Sequence, residues 1–225
     1  MKAVSSDISC GNNGTETILM GKFEIIKTYY ENNMSKGLPE YGILGWESEE
    51  AQRLRFDVLL DSVRLDGKSV LDVGCGTGNL FEYILSKGLR VKYTGVDILG
   101  RMIEKAKSKG LDANFYHVDI FKNNIFEDHS FDVIYASGIF NLNLGNNKEF
   151  LMKALDLFFR LSGEAVVFNL LHFASPNREK QYYYFHPDEV VKMIGGFSDK
   201  VKKVKIIEAY LKNDFTVACT LNERS

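Results

Sequence analysis

Cysteine, proline and histidine are scarce in this chain of 225 residues: three cysteines, three prolines and four histidines. Cys10, Cys75 and Cys219 lie too far apart to build a disulfide framework, and they show no close metal-ligand spacing. They read as reduced thiols in a reducing cytosol, with no metal site. An excess of either charge is also missing. Lys plus Arg total 28, Asp plus Glu 30, and the formal charge is −2, so nothing global draws the chain to nucleic acid or to an anionic membrane. No apolar run approaches the roughly 18 residues of a membrane span. The first fourteen residues, rich in Ser, Asn and Gly, lack the cationic start and apolar stretch of a secretory signal. A cytoplasmic location is the expectation. Monomer and homodimer stay open.

What is present is an ordinary globular composition, 45% hydrophobic and 26% charged. Residues 1–15 carry no helical or strand period and read as a flexible tail, and residues 16–225 as one domain. Apolar residues recur at helical spacing from Glu16 to Asn33, and a glycine-rich turn region follows. Ser48 is the expected N-cap of a second helix running to about Val63 and burying Ala51, Leu54, Val58 and Leu59. Residues 16–65 thus form a helical segment ahead of the main fold, expected to serve as a cap or lid.

Beyond Lys68, short apolar runs alternate with amphipathic segments. Strands are predicted at 70–73, 91–96, 113–118, 131–136 and 165–171, with helices at 79–86, 100–108 and 148–161. Strand then helix at this spacing predicts an α/β, doubly wound, mostly parallel sheet with helices on both faces. A short helix from Pro187 to Ile194 precedes two consecutive strands near 201–208 and 215–221. Joined by a short turn, these form an antiparallel C-terminal hairpin and bring the sheet to seven strands. In the last strand, alternation of Phe215, Val217, Cys219 and Leu221 with Thr216, Ala218 and Thr220 predicts a half-buried element. Lysines 200, 202, 203 and 205 fit a solvated edge strand guarded against aggregation.

The most informative stretch is Val70-Leu71-Asp72-Val73-Gly74-Cys75-Gly76-Thr77-Gly78-Asn79. An apolar strand runs into three alternating glycines and then a helix. Such glycines permit positive φ and the close approach of a ligand, while the helix N-terminus offers free N–H groups. The spacing G-x-G-x-G departs from the dinucleotide pattern G-x-G-x-x-G. Asp97 closes the next strand, placed to bind both hydroxyls of a ribose. Asp119 closes the one after, where a carboxylate can accept from an adenine amine. With Asp72, three acids at strand C-termini converge on the crevice where open α/β sheets bind ligands.

This series, D-V-G-C-G-T-G, then V-D-I twice, then Phe131-Asp132-Val133-Ile134-Tyr135-Ala136, resembles the motifs of Rossmann-like (class I) S-adenosylmethionine-dependent methyltransferases. The resemblance spans roughly residues 67–171. Leu44-Gly45-Trp46-Glu47-Ser48 and Tyr210 to Thr216 resemble a small bacterial subgroup. The family implies S-adenosyl-L-methionine as cofactor and S-adenosyl-L-homocysteine as product. It implies that Gly74, Cys75 and Gly76 line the methionine and ribose portions, with Asp97 on the ribose hydroxyls and Ile98 and Met102 on the adenine. Asp119 and Ile120 would read the adenine edge, and Ala136 and Ser137 would face the sulfonium. Cys75 reads as a small buried filler rather than a nucleophile.

For the chemistry, aromatic faces suit a cationic sulfonium, and Tyr29, Tyr30, Tyr41 and Trp46 precede the glycine loop. Plain packing is the other reading of each. His172 and His186 are candidates for a general base, or surface histidines. Tyr182-Tyr183-Tyr184-Phe185 is expected to contribute to a substrate pocket favouring an apolar or planar small molecule. The acceptor is therefore expected to be a small molecule. An RNA or protein acceptor, or cofactor binding without catalysis, is the alternative.

Overall fold

A computed structural model of the protein describes residues 13–223, with side chains from residue 21 onward. Residues 1–12, most of the expected tail together with Cys10, lie outside the described residues. Helix α1 (Asn13–Ser35) starts ahead of the predicted Glu16 and leads to a single turn, α2 (Glu40–Ile43), and to α3 (Glu49–Ser62). The Ser48 side chain caps α3 by accepting from the Ala51 N–H, and Glu49 and Glu50 follow in its first turn. Its buried face differs in part from expectation. Gln52, Arg55 and Phe56 are buried, whereas Leu54 is only half-buried.

The rest alternates as the pattern required: β1 (Ser69–Val73), α4 (Asn79–Ser86), β2 (Lys92–Asp97), α5 (Gly100–Ser108), β3 (Asn114–His117), β4 (Phe131–Ala136), α6 (Asn147–Leu161) and β5 (Ser162–Leu171). Then come α7 (Pro187–Gly195), β6 (Val201–Ile207) and β7 (Asp214–Leu221). One sheet holds all seven strands in the order β3-β2-β1-β4-β5-β7-β6. Strands β1 to β5 pair in parallel, and β7 pairs antiparallel with both β5 and β6.

Period-two alternation builds two cores, one on each face. Leu71, Ile134, Val166, Phe168 and Val217 pack with Leu151, Leu155 and Phe158 of α6 and with Val190 and Ile194 of α7. Val70, Val133, Tyr135, Val167 and Ala218 point the other way, onto Phe56 and Leu59 of α3, Leu80 and Ile84 of α4, and Ile103 of α5. Helices thus cover both faces. Strand β7 is not half-buried: only Thr220 is exposed, because β7 is inserted between β5 and β6 with packing on both sides. The lysine-bearing β6 forms the sheet edge, with Lys202, Lys203 and Lys205 exposed. No helix among the described residues is long and apolar enough to cross a membrane.

Candidate active site

The glycine loop leaves β1 still tied to its neighbour, since the N–H groups of Gly74 and Cys75 both donate to the Val96 carbonyl at the end of β2 (2.8 and 3.0 Å). The chain must then reverse into α4 within five residues. It does so through left-handed backbone at Gly74 (φ 78°), Gly76 (φ 53°) and Gly78 (φ 81°), which L side chains rarely adopt. A Cβ on Gly74 would stand 2.2 Å from Ile139 Cγ2, and one on Gly76 2.9 Å from Leu44 Cδ2. Two distant segments therefore press against the bare backbone of the loop. Cys75 packs its thiol on the backbone of Gly95 in β2, where a Cβ would lie 2.7 Å from Sγ. Burial holds that thiol well above its ordinary pKa, in keeping with a filler and not a nucleophile.

The three predicted acids come together around one cavity of about 420 Å³, within the roughly 300–1,000 Å³ range of small-molecule sites. Asp97 has both oxygens engaged: Oδ2 accepts from Gly76 N–H (2.9 Å) and Oδ1 from Leu99 N–H (2.8 Å). One carboxylate thus locks the glycine loop to the start of α5. Burial raises its pKa, against the lowering effect of these two hydrogen bonds. Asp72 lies deeper, hydrogen-bonded to the Tyr93 hydroxyl, and burial pushes its pKa up to about 7. Asp119 accepts from the Phe121 N–H at the rim. Trp46, Gly74, Cys75, Gly76, Ile98, Met102, Ile120 and Ser137 complete the set of expected residues that line the cavity.

Other expected residues lie elsewhere. Ala136 is fully buried in the core beneath α6 and does not line the cavity; its side chain follows the strand alternation into the sheet's other face. His172 hydrogen-bonds Glu208 (2.7 Å) and packs on Phe215, and His186 caps α7 by accepting from the Asp188 N–H. Neither histidine lines the cavity. Nor does the Tyr182–Phe185 run: Phe185 is in the core, Tyr183 packs against it, and Tyr182 bonds to the Tyr29 hydroxyl (2.8 Å). Of the early aromatics, Tyr30 and Trp46 reach the cavity, while Tyr29 and Tyr41 do not.

Sequence reasoning missed the apolar wall. Phe23 and Ile26 of α1, Leu44, Ile139, Leu142, Leu144 and Phe150 form it. A helical apolar stripe on α1 was visible, but nothing in its spacing says that the stripe faces a cavity rather than a core. Among the described residues, no group of His, Cys, Asp and Glu is placed to hold a metal ion.

Residues 70–160 match the methyltransferase-domain family. A malonyl-(acyl-carrier protein) O-methyltransferase of Acetivibrio thermocellus is 31% identical over 136 residues, 56% of this chain and 47% of that protein. The ribosomal RNA small subunit methyltransferase C of Buchnera aphidicola is 27% identical over 222 residues, 89% of this chain and 60% of that one. The chain spans about half the length of these curated relatives. A magnesium protoporphyrin IX methyltransferase of Synechocystis PCC 6803, solved with bound S-adenosylhomocysteine, shares the fold with a TM-score of 0.63 at 14% identity, over 88% of this chain and 99% of that one. These similarities point to no particular subgroup. With the methyltransferase domain matched across the glycine loop and its acids, and the strand order 3-2-1-4-5-7-6 around it, the chain carries a methyltransferase domain of the class I, Rossmann-like fold.

Proposed function

We propose that the protein transfers a methyl group from S-adenosylmethionine to a small molecule held against the apolar wall of the cavity. The observation that carries this reading is one cavity lined by two unlike sets of residues. Bare backbone and carboxylates belong to the first: Gly74, Gly76, Asp97 and Asp119. Apolar side chains belong to the second: Phe23, Ile26, Ile139, Leu142, Leu144 and Phe150. The polar set fits the cofactor. The backbone of Gly74 and Gly76 lines the cavity bare of side chains, with Ile139 and Leu44 packed against it, and the buried Ser137 Oγ lacks a well-aligned hydrogen-bond partner, its near neighbour being the Tyr135 hydroxyl.

In this arrangement Asp97 would hold the ribose hydroxyls, already oriented by two backbone N–H groups. Ile98 and Met102 would pack on the adenine, with Asp119 and Ile120 at its edge. When bound, the cofactor supplies a methyl group on a cationic sulfur, open to in-line attack by an acceptor lone pair. The chain's own task is alignment and exclusion of water. Trp46, Leu44 and the apolar face of α1 serve the cavity as a lid. No histidine lines the cavity, so a proton released by the acceptor would have to leave through a carboxylate or to solvent.

Calorimetry with S-adenosylhomocysteine on the intact protein tests the cofactor assignment. Binding is expected, with Asp97→Ala weakening it at least about a hundredfold, as loss of two charge-assisted hydrogen bonds implies. Equal heats for both proteins would refute it. Methyl transfer to a panel of apolar and planar metabolites, set against ribosomal RNA and protein acceptors, tests the substrate class. The RNA alternative draws on the Buchnera relative. Against it stand the apolar wall of the cavity and the absence of any net positive charge on the chain.

A further inference from the structure

A buried ionic cluster packs against Trp46 and Gly138, two residues that line the cavity. Asp214, at the first position of β7, is 2% exposed, and Arg55 of α3 is 6% exposed. Arg55 Nε donates to Asp214 Oδ2 at 2.6 Å, and one terminal nitrogen donates to the Ala51 carbonyl at 2.6 Å. The same carboxylate oxygen accepts from the Asn169 side chain of β5 at 2.8 Å. Asn169, 1% exposed, uses its other end to accept from the Gly138 N–H at 3.0 Å. The guanidinium carbon of Arg55 sits 4.1 Å from the centre of the Trp46 ring. Across that ring, a Cβ on Gly138 would meet Trp46 Cη2 at 2.9 Å.

These contacts close a circuit: Asp214, Arg55, Trp46, Gly138, Asn169 and back to Asp214. Burying a charged pair is costly, and its desolvation often cancels its attraction, so stability alone is a weak reason for it. What the pair does supply is direction. A planar guanidinium, held by a carboxylate and a carbonyl, fixes the plane of a ring stacked on it. The amide of Asn169 fixes the turn after β4, and with it Ser137. Both residues so fixed, Trp46 and Ser137, line the cavity. We infer that Asp214, Arg55 and Asn169 are positioning residues, which set the orientation of the Trp46 roof and the Ser137–Gly138 turn relative to each other. The inference rests on the cavity being the cofactor and acceptor site.

Trp46 is the only tryptophan, so its emission reports on the roof directly. Asp214→Asn leaves a guanidinium without its charge partner and is expected to destabilise the fold. The decisive variants are therefore Asn169→Ala and the double change Arg55→Met with Asp214→Leu, since exchanging a buried pair for apolar groups can preserve stability. Both should fold, show Trp46 emission shifted to longer wavelength with easier acrylamide quenching, and bind S-adenosylhomocysteine about tenfold more weakly, the effect of one well-placed hydrogen bond. Arg55→Lys, which keeps the charge and loses the plane, should show the emission change as well. A double variant with unaltered emission and unaltered affinity would overturn the inference and leave the cluster purely structural. If the unsubstituted protein gives no heat with S-adenosylhomocysteine, the cofactor assignment fails, while the emission comparison still decides whether the circuit orients Trp46.

Discussion

The polar and apolar linings of the cavity are built by different means. The polar lining comes from the loop after β1 and the ends of β2 and β3. Backbone conformation and hydrogen bonds between these neighbouring turns shape it: Gly74 and Cys75 to Val96, Gly76 and Leu99 to Asp97. The apolar lining is assembled from α1, the Leu44–Trp46 corner, the turn after β4 and the first turn of α6. Left-handed backbone in those segments falls on glycines 45, 138 and 145. The difference predicts that substitutions in the polar lining should be severe and specific, and those in the apolar lining milder and spread between both ligands.

Asp97→Ala should give the largest effect. It orphans two backbone N–H groups at about 1–3 kcal/mol each. Thermal stability should fall and S-adenosylhomocysteine affinity should drop at least about a hundredfold. Retention of either would break the contrast. Gly74→Ala comes next. Left-handed backbone costs an L residue about 1–2 kcal/mol, and the new methyl has no room beside Ile139 Cγ2. Urea unfolding should show a loss of about 2–4 kcal/mol.

Asp72 sharpens the comparison through pH. Its folded pKa is raised to about 7 by burial, while in the unfolded chain it lies in the ordinary carboxylate range. Between those values the folded protein holds a proton that the unfolded chain has released, so this group makes stability fall as pH rises from about 4 to about 7, by at most about 1.4 kcal/mol per pH unit. Below that window its contribution is fully present. Asp72→Asn should flatten the fall, and unchanged slopes in denaturation at several pH values would remove the argument. Trp46→Ala is expected to be milder, about tenfold in S-adenosylhomocysteine affinity. His172→Ala should be the smallest, leaving that affinity unchanged, because the ring pairs with Glu208 outside the cavity.

Much of the fold was legible because its elements are local. Helix α4 begins at Asn79 and β4 spans Phe131–Ala136, as the apolar periods predict. The glycine loop and the acids at 72, 97 and 119 were legible for the same reason: each sits near the C-terminal end of a strand, Asp119 two residues past β3, where chain direction sends it to the crevice. The candidate histidines lie outside the cavity, since a residue type says nothing of its partner. His172 has Glu208, and His186 has the first turn of α7. The tyrosine run lies outside it too, because Phe185 joined the core while Tyr182 turned to Tyr29. Ala136 is kept from the cavity by one position of strand alternation, which puts it on the opposite face from Tyr135.

The amino-acid order by itself determined the strand–helix alternation, the left-handed loop and the placing of acids beside it, since all of these follow from φ preferences and hydrophobic period within a few residues. Tertiary structure alone decided which apolar side chains wall the cavity, that β7 is buried on both faces, and that Arg55 meets Asp214 from 159 positions away. Those outcomes depend on how helices and strands far apart in sequence pack together, and packing is a property of shape in three dimensions that no local pattern carries.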